Sequence, residues 1–343
     1  MVSIHELDLE SATAAEWAAY HRFCRERSAE DTPDLPVAAD ADRQRNLVAP
    51  NTTNAWRIFN AWRGDEVVGT AAAWWRREGT PNHEQFARFI HVRGGVLAAS
   101  RRQGVGSALL AHLLPVMAER GATAVTLETH DDASAAFLLR RAAQEKFRAV
   151  ENRLRLADVP WDDLERWQAK DDGALRWETH AGRVPVERLH ALLPTLAELI
   201  GDVPRGELDV PPSPPDAARY RNIYRRMDED GGSHLMVVAM AGDTVAAVCE
   251  AMWHAELPTT ADQHFTGVAR AFRGQGLARQ AKARMLALLA RELPQVQYVT
   301  TQNAESNAPM LRVNAALGFQ PYRQVRILQV ERDALAQALA GPR

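Results

Sequence analysis

The sequence predicts an α/β fold, a mixed sheet flanked by helices, built twice in tandem. Three observations carry that reading. The chain repeats itself at a nearly fixed offset. Each repeat places a strand, a glycine-rich turn and a helix in direct succession. And 343 residues, 46% hydrophobic and 25% charged, suffice for two independent cores.

The repeat is visible without gaps. Laying Gly104 on Gly276, an offset of 172 residues, aligns "GVLAASRRQGVGSA" (95–108) with "GVARAFRGQGLARQ" (267–280). Gly95, Val96, Arg101, Gln103 and Gly104 then match Gly267, Val268, Arg273, Gln275 and Gly276. Downstream, "THDDASAAFLLRRAAQEKF" (129–147) falls on "TQNAESNAPMLRVNAALGF" (301–319). Upstream the offset becomes 178, Gly64 lying on Gly242, and "AWRGDEVVGTAAAWW" (61–75) covers "AMAGDTVAAVCEAMW" (239–253). The six-residue change falls between Trp75 and Gly95, where a loop insertion is expected. A period this long means two copies of a domain, not a solenoid.

Within one copy the elements follow in order. Amphipathic helices are expected first (12–28; 185–200). Two apolar runs joined by a Gly-Asp turn read as a hairpin (55–75; 234–253). A further strand ends at Val96 or Val268, and the glycine turn then opens a helix. In the second copy Leu277, Ala281, Met285, Leu288 and Leu289 recur at helical spacing until Pro294 stops the helix. Pro115 interrupts the matching helix of the first copy. A strand ("AVTLET"; "VQYVTT"), a second helix and a last strand ("VENRLRL"; "QVRILQV") complete each copy. The expected division is a first domain over 1–158, a polar linker over 159–174 and a second domain over 175–343. "VPPSPPD" (210–216) reads as a loop.

Charge and composition exclude several classes. A formal net charge of −3 with scattered arginines leaves no basic stripe for a nucleic acid. No apolar run is long enough to span a bilayer, and the N-terminal "MVSIHELDLESAT" has no signal-peptide pattern, so the expected location is cytoplasmic. Cys24 and Cys249, the two cysteines, lie in different halves and are expected as buried free thiols. No metal-ligand spacing is present, and no metal is expected.

A strand, a turn of small residues and a helix start make an anion site. The first N–H groups of a helix have no intrahelical partner, and the helix dipole adds positive potential there. Arg101, Arg102 and Arg273 add charge, and a diphosphate is the natural guest. A surface turn with an arginine would look the same in one copy; two aligned copies favour the ligand. A dinucleotide fold is excluded, because Leu109 and Arg279 stand where its third glycine belongs, and both turns come after a hairpin.

With Arg101-x-x-Gly104-x-Gly106, Arg273-x-x-Gly276-x-Ala278 and "NAPMLRVNAALGF" (307–319), the sequence resembles the GNAT N-acetyltransferase family in both halves. The resemblance implies that acetyl-CoA is the cosubstrate. It implies that the turns hold its pyrophosphate, through Val268, Arg273, Gly274, Gln275, Gly276, Leu277, Ala278 and Arg279 with Asn303 and Asn307. The first-copy equivalents are Val96, Arg101, Arg102, Gln103, Gly104, Val105, Gly106 and Ser107. It further implies that the pantetheine lies strand-like between the strands ending at Val268 and Thr301. The backbone amide near Val268, or Val96, would be the oxyanion donor.

Family-like chemistry is direct attack of a primary amine on a thioester, which needs a base. In "ADQHFTGV" (261–268) alternation puts Asp262, His264, Thr266 and Val268 on one face. Asp262 stands where histone-type members carry a glutamate. His264 has a suitable intrinsic pKa, and Glu250 is a carboxylate in an apolar strand; all three remain candidates. The first copy has Ile90, Val92 and Ala72 at the aligned places, and Lys146 in place of the glycine before Phe319. His83, Glu84 and His91 are its remaining candidates. Catalysis is therefore expected in the second copy. Asn314 and Ala142 replace the tyrosine that family members often use as acid. The leading expectation is an N-acetyltransferase for a small amine, contacted by segments 30–55 and 200–233. The alternative is a non-catalytic acyl-CoA sensor or interaction module. The acceptor and the oligomeric state are not specified by the sequence.

Overall fold

The computed structural model describes residues 2–80, 82–169, 174–213 and 215–341. In chain order the first half forms β1 (Ser3–Glu6), α1 (Ala14–Asp31), α2 (Asp40–Val48), β2 (Asn54–Arg63), β3 (Glu66–Arg76), α3 (His83–Phe86), β4 (Phe89–Val96), α4 (Val105–Glu119), β5 (Ala124–Thr129), α5 (Asp132–Leu139) and β6 (Gln144–Arg155). The second half forms α6 (Trp161–Ala169), β7 (Arg176–Gly182), α7 (Val186–Gly201), α8 (Ala217–Asp230), β8 (Gly232–Ala241), β9 (Thr244–His254), β10 (Thr260–Val268), α9 (Leu277–Glu292), β11 (Tyr298–Ala304), α10 (Ala308–Ala316), β12 (Gln320–Glu331) and α11 (Arg332–Ala340). The mixed α/β fold with helices on the sheet is the one the sequence predicts.

Two compact units are present, and each takes a strand from the other half of the chain. The first comprises residues 1–147, 207–211 and 325–343; the second comprises 148–206 and 212–324. In the first unit β5 is completed by the end of β12, with Arg326–Glu331 running antiparallel to Thr129–Ala124. In the second, Ala149–Arg155 of β6 runs antiparallel to Ala304–Tyr298 of β11. A division at 159–174 therefore does not describe the packing. Trp161–Ala169 of the expected linker is helix α6, and Leu164 is fully buried in the second unit's core; residues 170–173 lie outside the described residues.

Each unit is a sheet between two apolar layers. In the first, α4 covers one face through Val105, Leu109, Leu113 and Met117, and α1 covers the other through Trp17, Tyr20 and Phe23. A capping box starts α1, Thr13 accepting from the Glu16 amide at 3.3 Å while Glu16 accepts from the Thr13 amide at 2.8 Å. In the second, α9 packs Ala281, Met285, Leu288 and Leu289 on one face. There α7 packs Leu189, Leu192, Leu196 and Leu199 on the other. Each fully buried leucine contributes about 1.5–3 kcal/mol. Helix α9 ends at Glu292, before Pro294, whereas α4 continues through Pro115. Cys24 and Cys249 are buried free thiols. Among the described residues no helix is long and apolar enough to cross a membrane.

Candidate active site

The parallel strands at the centre of each unit separate before they end. β4 is in register with β5 only from Phe89 to Val92, although it continues to Val96. β10 is in register with β11 only from Thr260 to Asp262, although it continues to Val268. Beyond those points the backbone ladder between the facing edges stops, apart from the Gln263 carbonyl, which accepts from the Thr301 hydroxyl at 3.0 Å, and this leaves room for an extended ligand to bond as a strand would.

At the end of each wedge lies the glycine turn. Gly104 and Gly276 cap α4 and α9 with φ of 84° and 78°, values that glycine adopts at little cost. The first helical bonds run from Ala108 to Gly104 at 3.0 Å and from Gln280 to Gly276 at 3.1 Å. The amides of Val105, Gly106 and Ser107, and of Leu277, Ala278 and Arg279, therefore lie ahead of each ladder. The arginines are placed differently from the sequence expectation. Arg101 and Arg273 fold back to donate to the carbonyls of Val96 and Val268 at 3.0 and 3.1 Å. Both are also ion-paired to an acid at a helix C-terminus, Arg101 with Glu30 at the end of α1 at 3.1 Å and Arg273 with Asp202 at the end of α7 at 2.6 Å. Arg270 and Arg273 together hold the Asp202 carboxyl down at about 2. These guanidiniums brace the turn, and backbone amides are what it presents.

Other expected turn residues have local duties. Gln103 accepts from Arg63 at 2.6 Å and donates to the Ala99 carbonyl at 3.0 Å, and Arg279 lies over the Trp167 ring at 4.5 Å. Arg102 occupies a left-handed conformation, φ 61°, where the second unit has Gly274 at φ 80°. Asn303 lies in the separated part of β11 and accepts from Asn314 at 2.6 Å. Asn307 caps α10 through the Met310 amide at 3.3 Å.

A β-bulge reshapes the face beside the wedge in the second unit. Asp262 pairs with Met252 and Phe265 with Glu250, so three steps on β10 answer two on β9. The alternation predicted from sequence fails here. Asp262 and His264 lie on the face covered by α7 and α8. Thr266 turns to the opposite face, where Cys249 Sγ is 3.2 Å away, and Val268 packs there with Ala247 and Leu277. On the α7–α8 face Glu250 is buried and accepts from the Tyr220 hydroxyl at 2.7 Å. His234 Nε2 is 2.8 Å from the same Oε1, and the Tyr224 hydroxyl is 3.1 Å from His234 Nδ1. Burial raises the Glu250 pKa, but His234, then His264 and the Tyr220 hydroxyl, outweigh it, and the carboxyl is held low. His264 is nearer solvent, with Nδ1 3.6 Å from Asp262 Oδ2. Asp262 raises the His264 pKa above its ordinary value against the opposing effect of burial, and Glu250 adds to the rise.

Residues 15–143 match the model of the GNAT acetyltransferase family. The whole chain superposes on a tandem GNAT protein from the clavulanic acid biosynthesis pathway, with TM-score 0.72, 22% identity and 100% of both chains covered. It also superposes on a GCN5-related N-acetyltransferase from Sphaerobacter thermophilus, with TM-score 0.65, 16% identity and 96% of both chains covered. No curated protein matches the chain at the sequence level. Residues 15–143 thus resemble the GNAT family in sequence, and the whole chain has the tandem GNAT fold. The family is one of acyltransferases that generally draw on acetyl-CoA.

The second unit brings Asp262 and His264 to one face, and Glu250, which the sequence offers as a separate candidate, lies on the same face. Tyr220, Tyr224, His234, Arg219 and Asp202 join them there or at the turn without having been singled out. A signal for the tyrosines exists in "PDAARYRNIYRRM" (215–227), where an Asp cap precedes Tyr220, Ile223, Tyr224 and Met227 at helical spacing. In the first GNAT unit the bulge is absent, β3 and β4 pairing evenly from Gly69–Val96 to Trp74–His91.

Proposed function

We propose that this chain is an acetyl-CoA-dependent N-acetyltransferase that acetylates a primary amine of a small molecule in its second unit. The observation that carries this reading is the Asp262–His264 pair beside the wedge that ends on the Gly276 turn. The residues present suit the cosubstrate. The ladder-free amides of Leu277, Ala278 and Arg279 would hold the pyrophosphate, with Val268, Gly274, Gln275 and Asn303 along its path. Bound there, acetyl-CoA supplies an activated acyl carbon.

His264 removes the ammonium proton of the acceptor, and Asp262 orients the ring and stabilises its charged form. The new bond joins the amine nitrogen to the acyl carbon as the C–S bond breaks, with the electron pair leaving on sulfur. Backbone amides at the end of β10 are the family-implied donors to the acyl oxygen. Glu250, buried and shared between His234 and Tyr220, acts through its charge on His264.

The first unit supports a second reading for itself, an acyl-CoA-fold module without turnover. Arg93 and Glu128 form an ion pair at 3.0 Å between its separated strands. A cavity of about 370 Å³ at its turn is lined by Glu30, Asp31 and Asp131 as well as Arg101, which opposes a diphosphate. Calorimetry with acetyl-CoA tests both assignments. One site per chain is expected, weakened at least 100-fold by Arg273→Glu, which sets a carboxylate against Asp202, and kept in Arg101→Glu. Binding and turnover unchanged in Arg273→Glu would overturn the assignment to the second unit.

A further inference from the structure

We propose that the acceptor is an amino acid whose carboxylate is received by Arg219, and that this contact frees His264 to act as the base. The inference rests on the acetyltransferase reading and names its substrate class.

Arg219 stands in the first turn of α8, its amide donating to the Asp216 carboxylate at 2.7 Å. Its guanidinium Nη2 lies 2.9 Å from His264 Nε2. Among the described residues no carboxylate lies within ion-pair distance of it. Its neighbours differ in this respect. Arg183 pairs with Asp228, Arg225 with Glu229, Arg188 with Glu178, and Arg270 and Arg273 with Asp202. A half-buried cation left with only a neutral ring nitrogen is a costly arrangement, and an incoming anion relieves it.

The contact also fixes the state of the base. A guanidinium only donates, so His264 Nε2 must accept, and the imidazole carries its proton on Nδ1, the side of Asp262. The lone pair that would take the ammonium proton is thus covered by Arg219. A carboxylate that draws Arg219 away uncovers it. The surroundings match a zwitterion. Asp262, with about half its side chain exposed, attracts the ammonium group, and Arg219 attracts the carboxylate. Because the two protein groups flank one ring, the acceptor's two charges must be close, as in an α- or β-amino acid. A phosphate dianion fits less well, since Asp262 and the ionised Glu250 already place negative charge around His264 and a single guanidinium is there to offset it.

Matched acceptors test this in the full chain, with thiol release from acetyl-CoA as the readout: phenylalanine against phenethylamine, lysine against cadaverine, β-alanine against ethylamine. At least one amino acid is expected to exceed its decarboxylated partner about 100-fold in kcat/KM. Arg219→Met should abolish that preference through KM. The same variant should acetylate the simple amines faster than the parent, because the base is no longer covered. Arg219→Lys should keep part of the preference. Equal use of amines and amino acids by the parent, or an equal loss for both classes in Arg219→Met, would overturn the proposal and leave the acetyltransferase reading standing. Acetyl-CoA binding with no thiol release for any acceptor would overturn both.

Discussion

The two units follow the same path from hairpin to wedge to glycine turn, yet β10 carries one residue more than β4, and the chemistry differs around that residue. Pairing makes the comparison explicit. Met252 and Glu250 of β9 correspond to Trp74 and Ala72 of β3, so their partners Asp262 and Phe265 correspond to His91 and Arg93. His91 stacks on Trp74 with centroids 5.5 Å apart and 21° between planes. Burial, with Arg76 and Arg93 assisting, pushes its pKa down to about 4, so the ring stays neutral at ordinary pH. Arg93 is engaged with Glu128. The first unit thus fills with internal contacts the space that the second leaves to an exposed Asp–His pair. A single bulge separates a face that packs against itself from a face that can receive a substrate.

The strand exchange makes each unit draw on both halves of the chain, and the largest expected effect follows from it. A chain cut after residue 158 lacks Arg326–Glu331, the partner of β5, and leaves a central parallel strand with an open edge. It is expected to be insoluble or aggregated. The fragments 1–158 and 159–343, produced together, should co-purify as a soluble pair. A folded, monomeric 1–158 fragment by gel filtration and hydrogen exchange would show that the exchange is dispensable.

Next in size is the difference between the two candidate bases. His264→Gln is expected to lower kcat by about 10²-fold or more, whereas His91→Gln should leave turnover near that of the parent. The pH profile sharpens this. Asp262 raises the His264 pKa, and a base works in its deprotonated form, so kcat/KM should rise with pH through a pKa above the ordinary histidine value. Asp262→Asn removes the main cause and should move that limb to lower pH, with Glu250 and Arg219 still acting on the ring from β9 and α8. A limb unmoved in Asp262→Asn would assign the proton transfer elsewhere.

Much of this arrangement was legible in the sequence, and the exceptions have physical reasons. The strand ends at Val96 and Val268 and the capping glycines follow from a backbone that only glycine adopts easily, so they appear directly in the residue types. The exchange of β6 and β12 does not, because either strand satisfies the same backbone edge with the same apolar pattern. The bulge was concealed by an offset that seemed to need only a loop. The connection over 77–88 is seven residues longer than the one over 255–259, and the bulge restores one of the seven. Asp262, His264, Thr266 and Val268 then read as a regular alternation when the last two have changed face. Arg219 could not be singled out, since its role depends on where α8 docks and on what its guanidinium fails to meet.

The smallest expected effect compares the turns themselves. Arg102 and Gly274 occupy equivalent left-handed positions, and a residue with a side chain pays about 1–2 kcal/mol there. Arg102→Gly removes that strain but gives the unfolded chain more freedom, a cost of about 0.5–1 kcal/mol. The net gain should be about 0.5 kcal/mol for the first unit, read as a small rise in denaturation midpoint. Gly274→Arg should lose somewhat more, because it adds the strain and leaves a bulky side chain where the second unit's turn faces its ligand. It should therefore weaken acetyl-CoA binding as well as stability, while Arg102→Gly changes stability alone. Equal effects on binding from both substitutions would mean that the two turns are used alike, and the distinction between the units would then rest on β10 and not on the phosphate site.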